Sequence, residues 1–253
     1  MVVEFDQHFL ENKDKLNSII DAAEINSDDT VYEIGIGQGV LSRGVLDKKP
    51  KRLISIEKDD RLMPYIQNIE RLYDNFFYEI GDGIEALTRY EVDKIVANIP
   101  YSITEGLYKK IIELDIPFCV FLQGKRFYDL ILDERSRWSF IVNAFYNVEM
   151  ITKVPGDCFL PPAKVMSVVV KLVKKENVTV FEKLIRSLFI KRSRSVKNAI
   201  VFSLVDILEI SKKDAREIFD SLKIDDIGVF ETMSNEKYVQ LMNKLKLFVK
   251  KNI

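Results

Sequence analysis

Short apolar runs alternate with amphipathic segments through the first part of the chain. Apolar residues at helical spacing, from Leu16 to Ala23, predict a first helix. Runs rich in β-branched and aromatic residues predict strands at 30–34, 52–56, 76–80, 94–97 and 117–122. Amphipathic segments between these runs predict helices from Val40, over 61–72 and over 103–114. Strands that alternate with helices favour a parallel, doubly wound α/β sheet.

The pattern changes toward the C-terminus. Apolar runs at 148–154 and 165–173 predict two further strands, which can pair antiparallel through the connection 155–162. Beyond Lys174 the β-branched runs stop, and charged amphipathic segments predict helices at 178–189, 195–205, 212–222 and 235–250. We therefore predict a doubly wound, Rossmann-like α/β domain over 1–175 and a small α-helical domain over 176–253.

Composition narrows the classes of function. A chain of 253 residues with 47% apolar content can build one large core and a smaller domain. We expect a cytoplasmic protein, because the sequence has neither a membrane-spanning apolar run nor a signal peptide. Cys119 and Cys158 stand far apart without a CxxC pattern, and His8 is the single histidine. Disulfide frameworks, metal sites and Ser-His-Asp hydrolase chemistry are therefore not expected.

The net charge of −1 hides an asymmetry between the two halves of the chain. Residues 1–120 hold 14 Lys and Arg against 23 Asp and Glu, whereas residues 121–253 hold 24 against 16. Much of the basic excess falls between Lys164 and Lys197. A clustered basic patch favours RNA phosphates, although a solvated face without a ligand gives the same pattern.

Three glycines, Gly35, Gly37 and Gly39, stand where the first predicted strand turns into a helix. Glycines at such a turn let main-chain amides approach a ligand. A dinucleotide loop needs another glycine at position 40, where this chain has Val40, so the spacing favours a cofactor without a pyrophosphate. An ordinary structural turn would explain two of the three glycines.

Two acidic residues follow the next predicted strands. Glu57 ends the second strand, where doubly wound folds place a carboxylate against ribose hydroxyls. Asp82, after the third strand, is suited to accept a hydrogen bond from an adenine amine. The alternatives are a solvated carboxylate for Glu57 and an Asx turn or helix N-cap for Asp82.

The segment Asn98-Ile99-Pro100-Tyr101 follows the strand predicted at 94–97. A base amine held by an Asn side-chain carbonyl and a main-chain carbonyl turns its lone pair toward an incoming methyl group, and an aromatic ring can stack on the base. The alternative is a proline turn with Tyr101 in the core.

With these motifs in order, the chain resembles the ribosomal RNA adenine dimethyltransferases, the KsgA type and its archaeal and eukaryotic counterparts, and the related Erm enzymes. The resemblance runs from Gln7 to about Ile200. Besides the motifs above, it is carried by three segments: Gln7-His8-Phe9-Leu10, Phe159-Leu160-Pro161-Pro162-Ala163-Lys164-Val165, and Phe189-Ile190-Lys191-Arg192 with Lys197-Asn198-Ala199. It departs from the family pattern at His8, which replaces Asn, at Ala163, which replaces Pro, and in lacking the usual basic lead-in before Gln7.

The resemblance implies S-adenosyl-L-methionine as the cofactor and ribosomal RNA as the partner. The residues expected to bind the cofactor are His8, Leu10, Gly35, Gly37, Glu57, Asp82 and Asn98. The residues expected to hold the target adenine are Asn98, Tyr101 and Phe159. The residues expected to bind RNA are Lys164, Lys191, Arg192, Arg194 and Lys197.

The predicted function is S-adenosylmethionine-dependent dimethylation of the exocyclic amine of adenine in small-subunit ribosomal RNA, with a role in ribosome biogenesis. We expect a monomer that acts on a pre-assembled small subunit. Two alternatives stay open: an Erm-like enzyme for large-subunit RNA, and a binding protein that has kept the fold and lost catalysis.

Overall fold

The computed structural model describes residues 8–224 and 228–252, so Gln7 of the N-terminal motif lies outside the described residues. Its contacts divide the chain into two compact units. One contains the residues up to Tyr128 together with Asn147–Lys174, and the other contains Asp129–Tyr146 together with the residues from Lys175 onward. The domain boundary predicted between residues 175 and 176 stays a prediction. The contacts group residues 129–146 with the C-terminal helices.

The first unit is built on a mixed sheet of seven strands and a separate two-stranded ribbon. The strands of the described chain are β1 (Phe9–Leu10), β2 (Thr30–Ile34), β3 (Arg52–Glu57), β4 (Phe76–Ile80), β5 (Lys94–Asn98), β6 (Phe118–Gly124), β7 (Tyr146–Val154), β8 (Phe159–Leu160) and β9 (Ser167–Lys174). Their order in the sheet is β4-β3-β2-β5-β6-β9-β7. Strands β2 to β6 run parallel, and β9 runs antiparallel to β6.

The central strands are buried on both faces because helices flank the sheet. All five residues of β2 are buried, and five of the six residues of β3 are buried as well. The order of the strands reverses between β2 and β5, and a crevice opens beyond the carboxyl ends of strands at such a switch point. The predicted fold class is confirmed.

The helices of the described chain are α1 (Lys13–Ala22), α2 (Val40–Asp47), α3 (Met63–Glu70), α4 (Gly83–Ala86), α5 (Thr104–Glu113), α6 (Lys125–Leu132), α7 (Arg137–Phe145), α8 (Val180–Ile190), α9 (Val196–Leu208), α10 (Lys212–Ser221) and α11 (Asn235–Asn252). Within the described ranges, none of these helices combines the length and the apolar character needed to span a membrane.

The second unit is held by helix packing and by polar groups at the helix ends. Helix α8 packs on both α7 and α9. Thr179 and Glu182 form a capping box at the start of α8, which satisfies main-chain amides that the helix leaves unpaired. The guanidinium of Arg186 donates to the main-chain oxygens of Ala144 and Lys175, at 2.7 and 3.1 Å. It thereby closes the C-terminal end of α7.

Candidate active site

A cavity of about 310 Å³ lies at the carboxyl edge of the parallel strands. It is lined by His8, Phe9, Ile34, Gly35, Gly37, Ile56, Glu57, Lys58, Gly81, Asp82, Gly83, Asn98, Ile99, Pro100, Tyr101, Ser102, Ile103 and Phe159. The carboxyl ends of parallel strands meet at one edge of a sheet, which brings together residues that are far apart in sequence. The structure therefore gathers nearly all of the predicted cofactor and catalytic residues around one space.

The glycine loop forms one wall of this cavity. Gly35 and Gly37 both have positive φ values, of 79° and 57°, which other residues rarely adopt. A side chain at Gly37 would also stand 3.2 Å from the ring of Phe9. The loop can therefore bring its main chain close to a ligand only with glycine at these positions.

Glu57 ends β3 and is 6% exposed. Its Oε2 accepts a hydrogen bond from the main-chain amide of Gly37 at 2.9 Å. Its Oε1 accepts from the amides of Lys58 and Asp59, at 2.8 and 2.9 Å. Because each carboxylate oxygen has two acceptor positions, Oε2 keeps capacity for one more donor.

Asp82 caps helix α4 through Oδ1, which accepts from the amides of Ile84 and Glu85 at 2.9 and 3.3 Å. The N-cap alternative is therefore part of what Asp82 does. Its Oδ2 lies 3.7 Å from the ammonium of Lys58, in a largely solvent-exposed ion pair. Asp82 also lines the cavity, and its Oδ2 takes no part in capping the helix.

Asn98 ends β5 beside the N-terminal strand. Its side-chain nitrogen Nδ2 donates to the main-chain oxygen of His8 at 3.1 Å. A carbonyl oxygen can only accept, so this contact fixes which end of the amide faces His8. The oxygen Oδ1 of Asn98 is left as the acceptor for another group.

Tyr101 follows the Asn-Ile-Pro turn and is half-buried rather than sealed in the core. Its hydroxyl is hydrogen-bonded to Ser167 Oγ at 2.8 Å. A side chain at Gly124, the last residue of β6, would stand 3.1 Å from the ring of Tyr101. A small residue at this position and a hydroxyl at Ser167 therefore set the position of the ring.

Phe159 reaches the cavity through the two-stranded ribbon. Strands β1 and β8 pair antiparallel, with Phe9 opposite Leu160 and Leu10 opposite Phe159. The ring of His8 meets the ring of Phe159 edge to face, with centroids 6.3 Å apart. The ribbon thus joins the predicted cofactor segment to the predicted base-binding segment.

Leu10 occupies a different place from the other predicted cofactor residues. It is 8% exposed and lines a smaller cavity of about 60 Å³, together with Gly35, Gly37 and Asn98. The two cavities share these three residues and Phe9. Leu10 therefore lines the smaller cavity beside the glycine loop, whereas Glu57 and Asp82 line the larger one.

A buried carboxyl group lies on β2, two residues before Gly35. Glu33 is fully buried on β2, and its Oε2 accepts hydrogen bonds from Ser42 and Ser55, each at 2.6 Å. Its Oε1 has no partner among the described residues. Burial raises the pKa of Glu33 to about 7, the two serine hydroxyls oppose this rise, and the charge of Glu57 adds to it.

The predicted RNA-binding cations differ in how far their side chains are exposed to solvent and paired within the protein. Lys191 pairs with Asp206 at 2.8 Å, and its side chain is 18% exposed. Arg192 lies 4.5 Å over the ring of Phe189, and its side chain is 23% exposed.

The side chains of the other three cations are more exposed to solvent. Lys197 is partly exposed and lies 3.6 Å from Asp220. Arg194 is exposed and lies over the ring of Phe202 at 4.8 Å. Lys164 is exposed in the first unit, on the connection between β8 and β9.

Sequence reasoning missed several residues of the site. From the sequence alone, Lys58 is expected to be a solvated charge after a strand. Nothing in the sequence indicates that its ammonium lies near Asp82. Ser167 begins a strand and carries no motif, yet it holds the Tyr101 hydroxyl. Phe9 lies within the N-terminal motif, so of these three residues it is the one whose place in the site could have been predicted from the sequence.

A family model described as "Ribosomal RNA adenine dimethylase" matches residues 3–246. The chain belongs to this family. The predicted resemblance to ribosomal RNA adenine dimethyltransferases is therefore confirmed.

Relatives of known name and solved structures align with almost the whole length of this chain. The chain is 33% identical to a protein of Methanococcus maripaludis named "Probable ribosomal RNA small subunit methyltransferase A", over 94% of this chain and 95% of that protein. Its structure is similar to a dimethyladenosine transferase from Plasmodium falciparum, with a TM-score of 0.66, 26% identity, and coverage of 97% of this chain and 99% of that chain. The 23S rRNA methyltransferase ErmE shares the fold, with a TM-score of 0.59 and 19% identity over 94% of this chain and 99% of that chain.

Proposed function

We propose that this protein is an S-adenosylmethionine-dependent methyltransferase that dimethylates the exocyclic amine of adenine in small-subunit ribosomal RNA. The observation that carries the proposal is one cavity lined by the glycine loop, Glu57, Asp82, Asn98, Tyr101 and Phe159. Membership of the ribosomal RNA adenine dimethylase family and the small-subunit name of the Methanococcus relative support it.

The hydrogen-bond acceptors that line the cavity suit the hydroxyls and the amine of S-adenosylmethionine. Glu57 is oriented by three main-chain amides and keeps an acceptor position on Oε2, which suits a ribose hydroxyl. Asp82 caps a helix with Oδ1 and lines the cavity, and its Oδ2 suits the amine of the cofactor adenine. Gly35 and Gly37 leave room for the methionine part beside the smaller cavity bordered by Leu10.

When bound, S-adenosylmethionine supplies a methyl group on a positively charged sulfur, which a nucleophile can displace directly. Asn98 directs Oδ1 away from His8 and holds it for an N–H of the target adenine. The rings of Tyr101 and Phe159 flank the same space and can stack on a base that has left its helix. Alignment of the amine, rather than covalent catalysis, is what these residues contribute.

RNA binding by the five predicted cations belongs to the same proposal. Lys164 and Arg194 are exposed and suit phosphate contacts. Lys191, Arg192 and Lys197 also support the helical unit, through Asp206, Phe189 and Asp220 respectively. A monomer, a cytoplasmic location and action on a pre-assembled small subunit stay predictions.

The test is methyl transfer from radiolabelled S-adenosylmethionine to purified small and large ribosomal subunits that lack the modification, followed by mapping of the label. We expect N6,N6-dimethyladenosine in the small-subunit RNA, formed at least about a hundredfold more slowly by the Asn98→Ala variant. Label in the large-subunit RNA alone would favour the Erm-like alternative. Tight cofactor binding without transfer to either RNA would favour the binding protein.

A further inference from the structure

Two basic residues border the main cavity beside Tyr101. Strand β6 ends at Gly124, and helix α6 begins at Lys125, which is followed by Arg126. A side chain at Gly124 would stand 3.1 Å from the ring of Tyr101, which lines the cavity. Arg126 is exposed to solvent, and Lys125 is partly exposed. The two cations therefore follow directly after the residue that contacts the proposed base-stacking ring.

The connection between β8 and β9 brings a third cation to the same edge of the sheet. The antiparallel register of β6 and β9 places Gly124 opposite Ser167. One residue further along, the main-chain amide of Lys125 donates to the main-chain oxygen of Met166 at 2.9 Å. Lys164 is exposed two residues before Met166. The segments that carry the three cations are thus hydrogen-bonded to each other, and we call Lys125, Arg126 and Lys164 the basic rim.

The segments that carry the basic rim contain no acidic residue. Neither 116–128 nor 158–175 includes an Asp or a Glu. Among the described residues, the guanidinium of Arg126 has no ion pair and no hydrogen bond. In the sheet, β5 separates β6 and β9 from β3 and β4, which lead to Glu57 and Asp82. The carboxylates assigned to the cofactor and the basic rim therefore lie toward different ends of the sheet edge.

Exposed apolar side chains accompany the basic rim. Val165 and Met166 directly follow Lys164 and are 50% and 41% exposed. Proteins that bind unpaired or unstacked nucleotides combine cations for the phosphates with side chains that pack against the bases. A small anion would use only the cations. The mixture of charge and apolar surface therefore favours a strand of RNA.

We propose that the basic rim binds the phosphates of the RNA strand next to the target adenine. This proposal rests on the proposed function and adds Lys125 and Arg126 to its RNA contacts. An adenine that stacks on Tyr101 has left its helix, so its strand must continue past the cavity on both sides. The basic rim borders the cavity beside that ring, where exposed cations without acidic neighbours attract phosphates.

The variants that test the basic rim are Lys125→Gln, Arg126→Gln and the double variant. They are titrated against small ribosomal subunits that lack the modification, at several salt concentrations. We expect the slope of log affinity against log salt concentration to be shallower by about 0.7 in each single variant and by about 1.4 in the double variant, as for contacts to single-stranded phosphates. At 0.15 M salt, this change corresponds to binding that is weaker by about tenfold in the double variant.

Two controls separate local charge from folding and from general basicity. Arg126→Lys keeps the charge and should retain most of the affinity. Lys51→Gln removes an exposed cation that directly precedes β3, at the amino ends of the parallel strands, and should bind like the wild type. Cofactor affinity should be the same in all of these proteins. An unaltered salt slope in the double variant would overturn the proposal and leave Lys125 and Arg126 as a solvated basic face.

A crosslinking experiment tests where the basic rim lies on the RNA. A photoreactive p-benzoylphenylalanine at position 126 should crosslink to nucleotides adjacent to the methylated adenine. Crosslinks confined to a distant RNA segment or to a ribosomal protein would overturn the proposal. Failure of the wild type to methylate ribosomal RNA would instead reject the proposed function, whatever the crosslinks show.

Discussion

The side-chain amide of Asn98 donates to the main-chain oxygen of His8 at 3.1 Å, across 90 positions of sequence. This contact uses Nδ2 and leaves Oδ1 of Asn98 as the acceptor that the proposed function assigns to the substrate amine. Asn98→Ala removes the acceptor, and we expect single-turnover methylation to fall by about a hundredfold or more because the near-attack geometry is lost. Cofactor affinity measured by calorimetry should change far less than the rate, because Asn98 is assigned mainly to the target amine and only secondarily to the cofactor.

The matched control for this variant is Asn68→Ala, which removes an exposed Asn from α3. We expect wild-type rates from the control. A near-wild-type rate in a folded Asn98→Ala protein would contradict the assigned role of Asn98.

Tyr101 and Phe159 should act through base stacking. Replacing either ring with Ala should raise the RNA concentration for half-maximal rate, because stacking is worth roughly 1 to 3 kcal/mol per base. Tyr101→Phe is the control, since it keeps the ring and loses only the hydrogen bond to Ser167. If Tyr101→Phe is as defective as Tyr101→Ala in an RNA titration, the hydroxyl matters and stacking does not.

Glu57 should account for much of the cofactor affinity. Glu57→Ala removes the acceptor for a ribose hydroxyl and for the Gly37 amide, so we expect a loss of about 1.5 to 3 kcal/mol in cofactor binding by calorimetry. Glu57→Gln should lose less, because its one oxygen can still accept from the amides of Lys58 and Asp59. Unchanged affinity in folded Glu57→Ala would reject the ribose assignment.

Much of this site could be predicted because parallel strands end at a common edge. Glu57, Asp82 and Asn98 each follow an apolar run, so the order of strands and motifs along the chain was enough to group them. The hydrogen bond from Asn98 to His8 could not be predicted, because spacing along a chain does not say which loop closes over which strand end.

Other elements were missed for physical reasons. Strands β1 and β8 have two residues each, too few for any alternation to be seen. Helices α6 and α7 lie in a segment where charged and aromatic residues mix, and α7 is apolar around most of its surface. The roles of Lys191 and Arg192 were predicted from the basic cluster and from the family resemblance, and neither reveals an intramolecular partner such as Asp206.

Lys164 and Arg194 should contribute separately to RNA binding. Replacing either with Gln should weaken binding uniformly across RNA sequences. It should also reduce the slope of log affinity against log salt concentration by about 1. Cofactor affinity should not change. The control is Lys213→Gln, whose side chain is 85% exposed and lies 3.9 Å from Glu217. An unaltered salt slope in both variants would place the RNA contacts elsewhere.

The buried Glu33 should make stability depend on pH. Its pKa is raised from an ordinary value of 4.5 to about 7 by burial, so the folded protein holds the proton more tightly than the unfolded chain. The resulting stabilisation is complete below about pH 4.5 and is lost as the pH rises to about 7. Denaturant unfolding between pH 5 and pH 8 should therefore show a free energy of unfolding that falls with rising pH.

Glu33→Gln should remove this component, because Gln cannot ionise and its oxygen can still accept from Ser42 and Ser55. Relative to the wild type, the variant should gain roughly 2 to 3 kcal/mol in free energy of unfolding between pH 5 and pH 8. Glu70→Gln, at an exposed position on α3, is the control and should follow the wild-type curve. The comparison depends on the difference between two pH profiles, so a constant penalty for fitting the amide into the core cancels. Parallel profiles for Glu33→Gln and the wild type would mean that Glu33 does not take up a proton in this range.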